Sequence, residues 1–190
     1  MPDRRAFVAG SIALAALALR AAKAPPQPKV GAIRWPGPGH DLHGFMAIPA
    51  KAHGRQPAVL VLPDAGADRF ALDLTDALAL AGFVACVAKD ALSLDEALAS
   101  LHWLGGNAYA TGKVAAVGTG AGAALIERIA AAAGNPLTCA VMFDGGQAGP
   151  DSRILHLPPM TAGDGAAHYA ARWREATDFL GRNLAMTGRR

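Results

Sequence analysis

Lys113-Val-Ala-Ala-Val-Gly-Thr-Gly-Ala-Gly-Ala-Ala-Leu125 reads as a buried strand, a tight glycine turn and the start of a helix. Val114 to Val117 is apolar without interruption, as a strand covered on both faces requires. The turn, Gly118-Thr119-Gly120-Ala121-Gly122, has the spacing of a G-x-[S/C]-x-G elbow, in which the central residue is a nucleophile on a strained strand-to-helix corner. The central residue here is Gly120, which has no side chain to attack a carbonyl. The stretch therefore predicts an enzyme scaffold and denies it the usual chemistry.

Outward from this turn, strand and helix signals alternate. Upstream, Ala58 to Leu62 and Phe83 to Ala88 are continuous apolar runs, and Val30 to Arg34 and His43 to Ile48 are shorter β candidates around Pro36-Gly37-Pro38-Gly39. Phe70, Leu74 and Leu78 recur at helical spacing and stop at Gly82, a C′ residue. Ser93 and Glu96 have the spacing of a capping box ahead of Leu94, Leu98 and Leu101. Downstream, Ala121 to Ala133 is an alanine-rich helix closed by Gly134-Asn135-Pro136. Cys139 to Phe143 and Ile154 to Leu157 are strands, and Ala167 to Leu184 is a final amphipathic helix. This order predicts an α/β fold, with a mostly parallel sheet flanked by helices on both faces. Loops beyond the carboxyl ends of the strands then share one edge: Pro63 to Gly66, Lys89-Asp90, Gly118 to Gly122 and Asp144 to Gly146.

The 190 residues suit one domain, expected over 30–186, behind a Pro-rich linker at 25–29. Of 18 basic residues, Arg4, Arg5, Arg20 and Lys23 lie in the first 24, beside Asp3 as their one acid. Without them 14 bases face 14 acids, so the basic excess belongs to the leader and nucleic acid is not an expected partner. Residues 1–24 pair two arginines with an apolar run from Val8 to Leu19 and small residues thereafter, which reads as a twin-arginine-type signal. The run is too short to form a stable transmembrane span. The expectation is export to the periplasm, with weak membrane anchoring if the leader is retained; Pro25 after Ala22-Lys23-Ala24 disfavours cleavage there. Cys86 and Cys139 each sit in an apolar run and read as buried, unpaired thiols. His40, His43, His53 and His102 lack ligand spacing, and no metal or cofactor is expected.

From Leu42 to Leu184 the chain resembles the dienelactone hydrolase-type branch of the α/β-hydrolase superfamily. The residues that carry the resemblance are His43 to Ala50, Pro57 to Asp64, Ala81 to Asp90, Leu94 to Leu104, Val114 to Gly122, Ala140 to Gly146 and the helix from Trp173 to Leu184. The resemblance implies a trimmed α/β-hydrolase fold and hydrolysis of carboxylic esters or lactones. That chemistry uses a Cys or Ser nucleophile, a His base, an Asp orienter and backbone N–H groups for the oxyanion. On this chain the nucleophile's position falls on Gly120, and Thr119 stands one residue early. The loop that should carry the base, Pro158 to Gly165, contains no histidine; His168 follows it, and Asp164 is the available acid. Asp64 stands where the family has a strand-end Glu, and the N–H groups of Ala65 and Ala121 are candidates for an anion nest. The resemblance thus implies a catalytically impaired hydrolase or pseudoenzyme, with a small carboxylate or ester as ligand at the strand-end edge.

The same turn supports a rival reading. Gly118-x-Gly120-x-x-Ala123 between a strand and a helix also fits a dinucleotide fingerprint, with Asp144 as the ribose carboxylate. Against it, three or more strands precede the turn and about one follows Asp144, where a nucleotide fingerprint would open the domain.

Overall fold

The computed structural model describes residues 26–52, 54–143, 151–159 and 166–185. The leader at 1–24, His53, Asp144 and Asp164 lie outside the described residues. The elements are β1 (Lys29–Pro36), β2 (Asp41–Ile48), β3 (Gln56–Leu62), α1 (Arg69–Leu80), β4 (Val84–Ala88), α2 (Leu94–Gly106), β5 (Ala110–Thr119), α3 (Ala121–Ala131), β6 (Leu137–Phe143), β7 (Ile154–Leu157) and α4 (Ala166–Leu184). The strands form one sheet in the order β1-β2-β4-β3-β5-β6-β7. β1 with β2 and β2 with β4 are antiparallel, and the remaining pairings are parallel.

Alternation along the central strands divides the core in two. Leu60 and Ala116 face a layer with Leu101, Leu104, Ile126 and Ile129, from α2 and α3. Val59, Val61 and Val117 face Leu74, Leu78, Leu180 and Leu184, from α1 and α4. Helices therefore cover both faces, which is why β4 is buried at every residue and carries no polar side chain.

Local chemistry sets the boundaries. Asp68 caps α1 by accepting from Ala71 N–H at 2.7 Å. The helix ends at Gly82, φ +99°, with Phe83 N–H donating to Leu78 O and Gly82 N–H to Ala79 O, the paired bonds of a Schellman motif. The capping box of α2 is formed: Glu96 N–H donates to Ser93 Oγ, and Ser93 N–H donates to Glu96 Oε2 at 2.7 Å. α3 stops at Ala131, two residues before the sequence expectation, because the Asn135 amide donates to Ala130 O and Ala132 O and satisfies terminal carbonyls. β5 starts at Ala110 rather than Val114, since Gln56 draws the earlier residues into the sheet across an irregularity in register.

Trp35 fastens the β1-β2 hairpin to the layers beneath. It is buried, stacks on Trp103 of α2 with ring centroids 5.3 Å apart, and donates its indole N–H to Ser100 Oγ at 2.9 Å. Cys86 and Cys139 are buried, free thiols on opposite faces of the sheet. β3 and β5 separate their strands, which puts them about 14 Å apart and beyond the reach of a disulfide. Burial pushes both thiols up to about 12, with Lys113 opposing the shift slightly at Cys139.

Candidate functional site

Parallel pairing brings the carboxyl ends of β3, β4 and β5 side by side. Leu62 pairs with Gly118, and Val61 with Val87, so Asp64, Asp90 and the glycine turn meet at one edge. β2 runs antiparallel and contributes its amino end to the same edge, where Lys89 N–H donates to His43 O at 2.8 Å.

The turn itself has the corner that a strand-to-helix elbow needs. Gly120 has φ +53° and ψ −124°, a combination that strains any residue with a Cβ. The flanking glycines explain how so sharp a turn packs. A Cβ on Gly118 would lie 2.7 Å from Gly122 O, and one on Gly122 would collide with Leu62 O, so α3 rests directly on the end of β3.

Asp64 fills the space that a nucleophile would use. A Cβ at position 120 would lie 2.6 Å from Asp64 Oδ1, 2.7 Å from its Cγ and 3.0 Å from its Cβ. The same Oδ1 accepts from Ala121 N–H at 2.7 Å. The carboxylate therefore caps α3, where helix N-termini favour negative charge. Of the two N–H groups expected to form an anion nest, that of Ala121 donates to an internal carboxylate from 57 residues upstream.

A pocket of about 310 Å³ opens beside the turn, lined by Asp64, Asp90, Leu92, Ala121, Leu125 and Arg128 among others. Its floor is mostly apolar. Arg128 has no ion-pair partner among the described residues and supplies the pocket's positive charge. A second pocket of about 250 Å³ shares Ala88, Asp90, Ala91 and Leu92 with the first and adds His40, His43 and Glu96. His40 Nε2 is 3.2 Å from Glu96 Oε1. The Glu96 carboxyl is held below its ordinary value of 4.5 by hydrogen bonds from the Ser93 side chain and backbone, with a smaller contribution from His40.

The other candidates are placed as follows. Thr119 is the half-buried last residue of β5 and does not line the elbow pocket. His168 is exposed in the first turn of α4 and does not line it either. No histidine among the described residues lines that pocket. Asp164 and Asp144 lie outside the described residues, so the acid and the ribose-binding role proposed for them fall there too. Among the described residues no group of three His, Cys, Asp or Glu side chains is placed to hold a metal ion. No helix among them is long and apolar enough to cross a membrane. The dinucleotide reading gains no support here, because the helix N-terminus that would face a pyrophosphate already carries Asp64. Arg128 and the His40–Glu96 pair were not anticipated as parts of the edge. Arg128 was legible in principle, since Ala121, Ala124, Leu125 and Arg128 share one face of α3 at helical spacing.

No family model and no curated protein sequence matches the chain. Solved structures do. A dienelactone hydrolase from Anabaena variabilis superposes with a TM-score of 0.62 at 16% identity, over 83% of this chain and 99% of that one. A dienelactone hydrolase-like promiscuous phosphotriesterase from metagenomic libraries gives 0.58 at 22% identity, over 83% and 78%. A bacterial heroin esterase gives 0.52 at 16% identity, over 72% and 50%. The sheet order, the helices on both faces and these neighbours agree: the chain has a trimmed α/β-hydrolase fold of the kind seen in dienelactone hydrolase-like structures.

Proposed function

We propose that this chain is a dienelactone hydrolase-like scaffold whose triad chemistry has been lost, so that it binds a small ligand at the elbow pocket and does not hydrolyse it. The observation that carries the reading is the pairing of Gly120 with the Asp64 carboxylate on Ala121 N–H at 2.7 Å. Acyl transfer by such a site needs a nucleophile, a base and N–H donors aimed at the developing oxyanion. The nucleophile is absent at position 120, and the loop from Pro158 to Gly165 contains no histidine to serve as base. The third requirement is reversed. An oxyanion forming near Ala121 N–H would meet a carboxylate instead of a free donor, and like charges at such a distance repel. Losing one oxyanion donor alone lowers kcat by roughly a hundred- to a thousandfold.

Arg128, the basic side chain in a pocket whose lining is apolar apart from it, Asp64 and Asp90, supports a ligand that carries a carboxylate, held at Arg128 and away from the two acids. The paired arginines and short apolar run of the leader support a periplasmic site of action. The test is hydrolysis of p-nitrophenyl acetate by the protein beside a Gly120→Val variant. The expected result is no turnover by either above the buffer rate. Turnover by the wild type that Gly120→Val abolishes would show that another group does the chemistry.

A further inference from the structure

The opposite pole of the sheet carries a third cavity that neither the elbow nor its chemistry uses. It lies at the amino ends of β3 and β5, more than one length of β3, or upwards of about 20 Å, from Gly120. Its volume is about 430 Å³. Lys29 at the start of β1 and Arg55 ahead of β3 line it, together with Tyr109, which is 53% exposed. The floor is Ile48, Pro49 and Ala108, and no acidic side chain among the described residues lines it. Neither cation has a hydrogen bond or an ion pair with another described residue.

We propose that this cavity binds a small organic anion with a planar apolar body, such as an aromatic carboxylate or an aryl phosphate. Three features converge on that class. Two cations with no acidic partner among the described residues, at a concave rim, attract negative charge. The exposed Tyr109 ring and the apolar floor offer a face for a flat body. The backbone that carries the walls is held before any ligand arrives. Gln56 N–H donates to Tyr109 O at 2.8 Å, Tyr109 N–H donates to Asn107 Oδ1 at 3.0 Å, and Lys29 pairs with Ile48 in the β1–β2 ladder. Binding then orders the Lys29, Arg55 and Tyr109 side chains and not the backbone that carries them. This inference does not depend on the reading of the elbow, since the two sites share no residue.

The test is titration of the full chain with benzoate and phenyl phosphate, with benzamide and benzyl alcohol as neutral counterparts, followed by backbone amide NMR. The expected result is saturable binding of at least one anion, with shifts confined to Ile48, Ala52, Ala108, Tyr109 and their neighbours. The neutral compounds should bind more weakly. Lys29→Ala and Arg55→Ala should each weaken the anion roughly three- to fivefold, the range of an exposed charge pair. Because both residues are exposed, the variants should fold as the wild type does, which the same spectra report. Equal affinity for neutral and anionic compounds, unchanged affinity in both variants, or shifts centred elsewhere would overturn the proposal. So would the absence of any saturable binding.

Discussion

A Cβ at position 120 would lie 2.6 Å from Asp64 Oδ1, so the side chain that an elbow normally displays and the Asp64 carboxylate are alternatives for one volume. This makes the two positions energetically coupled. Gly120→Ala should destabilise the protein by about 2 kcal/mol, through strain at φ +53° and displacement of the carboxylate from Ala121 N–H. Asp64→Ala should cost about 1 kcal/mol as a lost helix cap. The double variant should be less destabilised than the sum by about 1 kcal/mol, read from denaturant unfolding as a double-mutant cycle. Strict additivity would place Asp64 away from the elbow in solution. The lack of a side chain at position 120 was legible from the run Gly118 to Gly122 alone. The carboxylate that replaces it was not, because Asp64 meets Ala121 across 57 residues and nothing local in either segment signals the contact.

At the scale of elements, local signals were the most readable. Gly82 and the Ser93–Glu96 box predict helix ends by backbone chemistry that acts within a few residues, and both are found where expected. The order of the strands is a different matter. β4 lies between β2 and β3, a pairing fixed by packing between distant segments and not by any one run of sequence. The capping box also gives a pH dependence. Because Ser93 holds the Glu96 carboxyl below its ordinary value, the box contributes stability that is complete above pH 4.5. That contribution is lost as pH falls through the lower folded-state value. Ser93→Ala should cost about 1 kcal/mol at neutral pH. The stability difference between wild type and Ser93→Ala should shrink on acidification below pH 4.5, measured by thermal unfolding at stepped pH. A difference that is constant with pH would mean that the box does not hold the carboxylate.

For the whole molecule, two apolar layers clamp a single sheet and place one thiol in each, Cys86 beneath α2 and α3 and Cys139 beneath α1 and α4. Burial that pushes both thiols up to about 12 leaves almost no thiolate at neutral pH. The native protein should therefore not react with Ellman's reagent, and both thiols should react together once denaturant unfolds the sheet. Rapid labelling of either in the native state would mean that its layer opens. These silent thiols allow a clean probe of the elbow. A burst of p-nitrophenol from p-nitrophenyl acetate can be compared for the wild type, Gly120→Cys and the Gly120→Cys, Asp64→Ala double variant, each checked for an intact thermal transition. If the scaffold keeps a nucleophile elbow that Asp64 blocks, the wild type gives no burst. Gly120→Cys then gives a slow one, because the adjacent carboxylate opposes the thiolate, and the double variant gives a faster, stoichiometric one. A burst from the wild type, or equal rates in the two cysteine variants, would contradict the account.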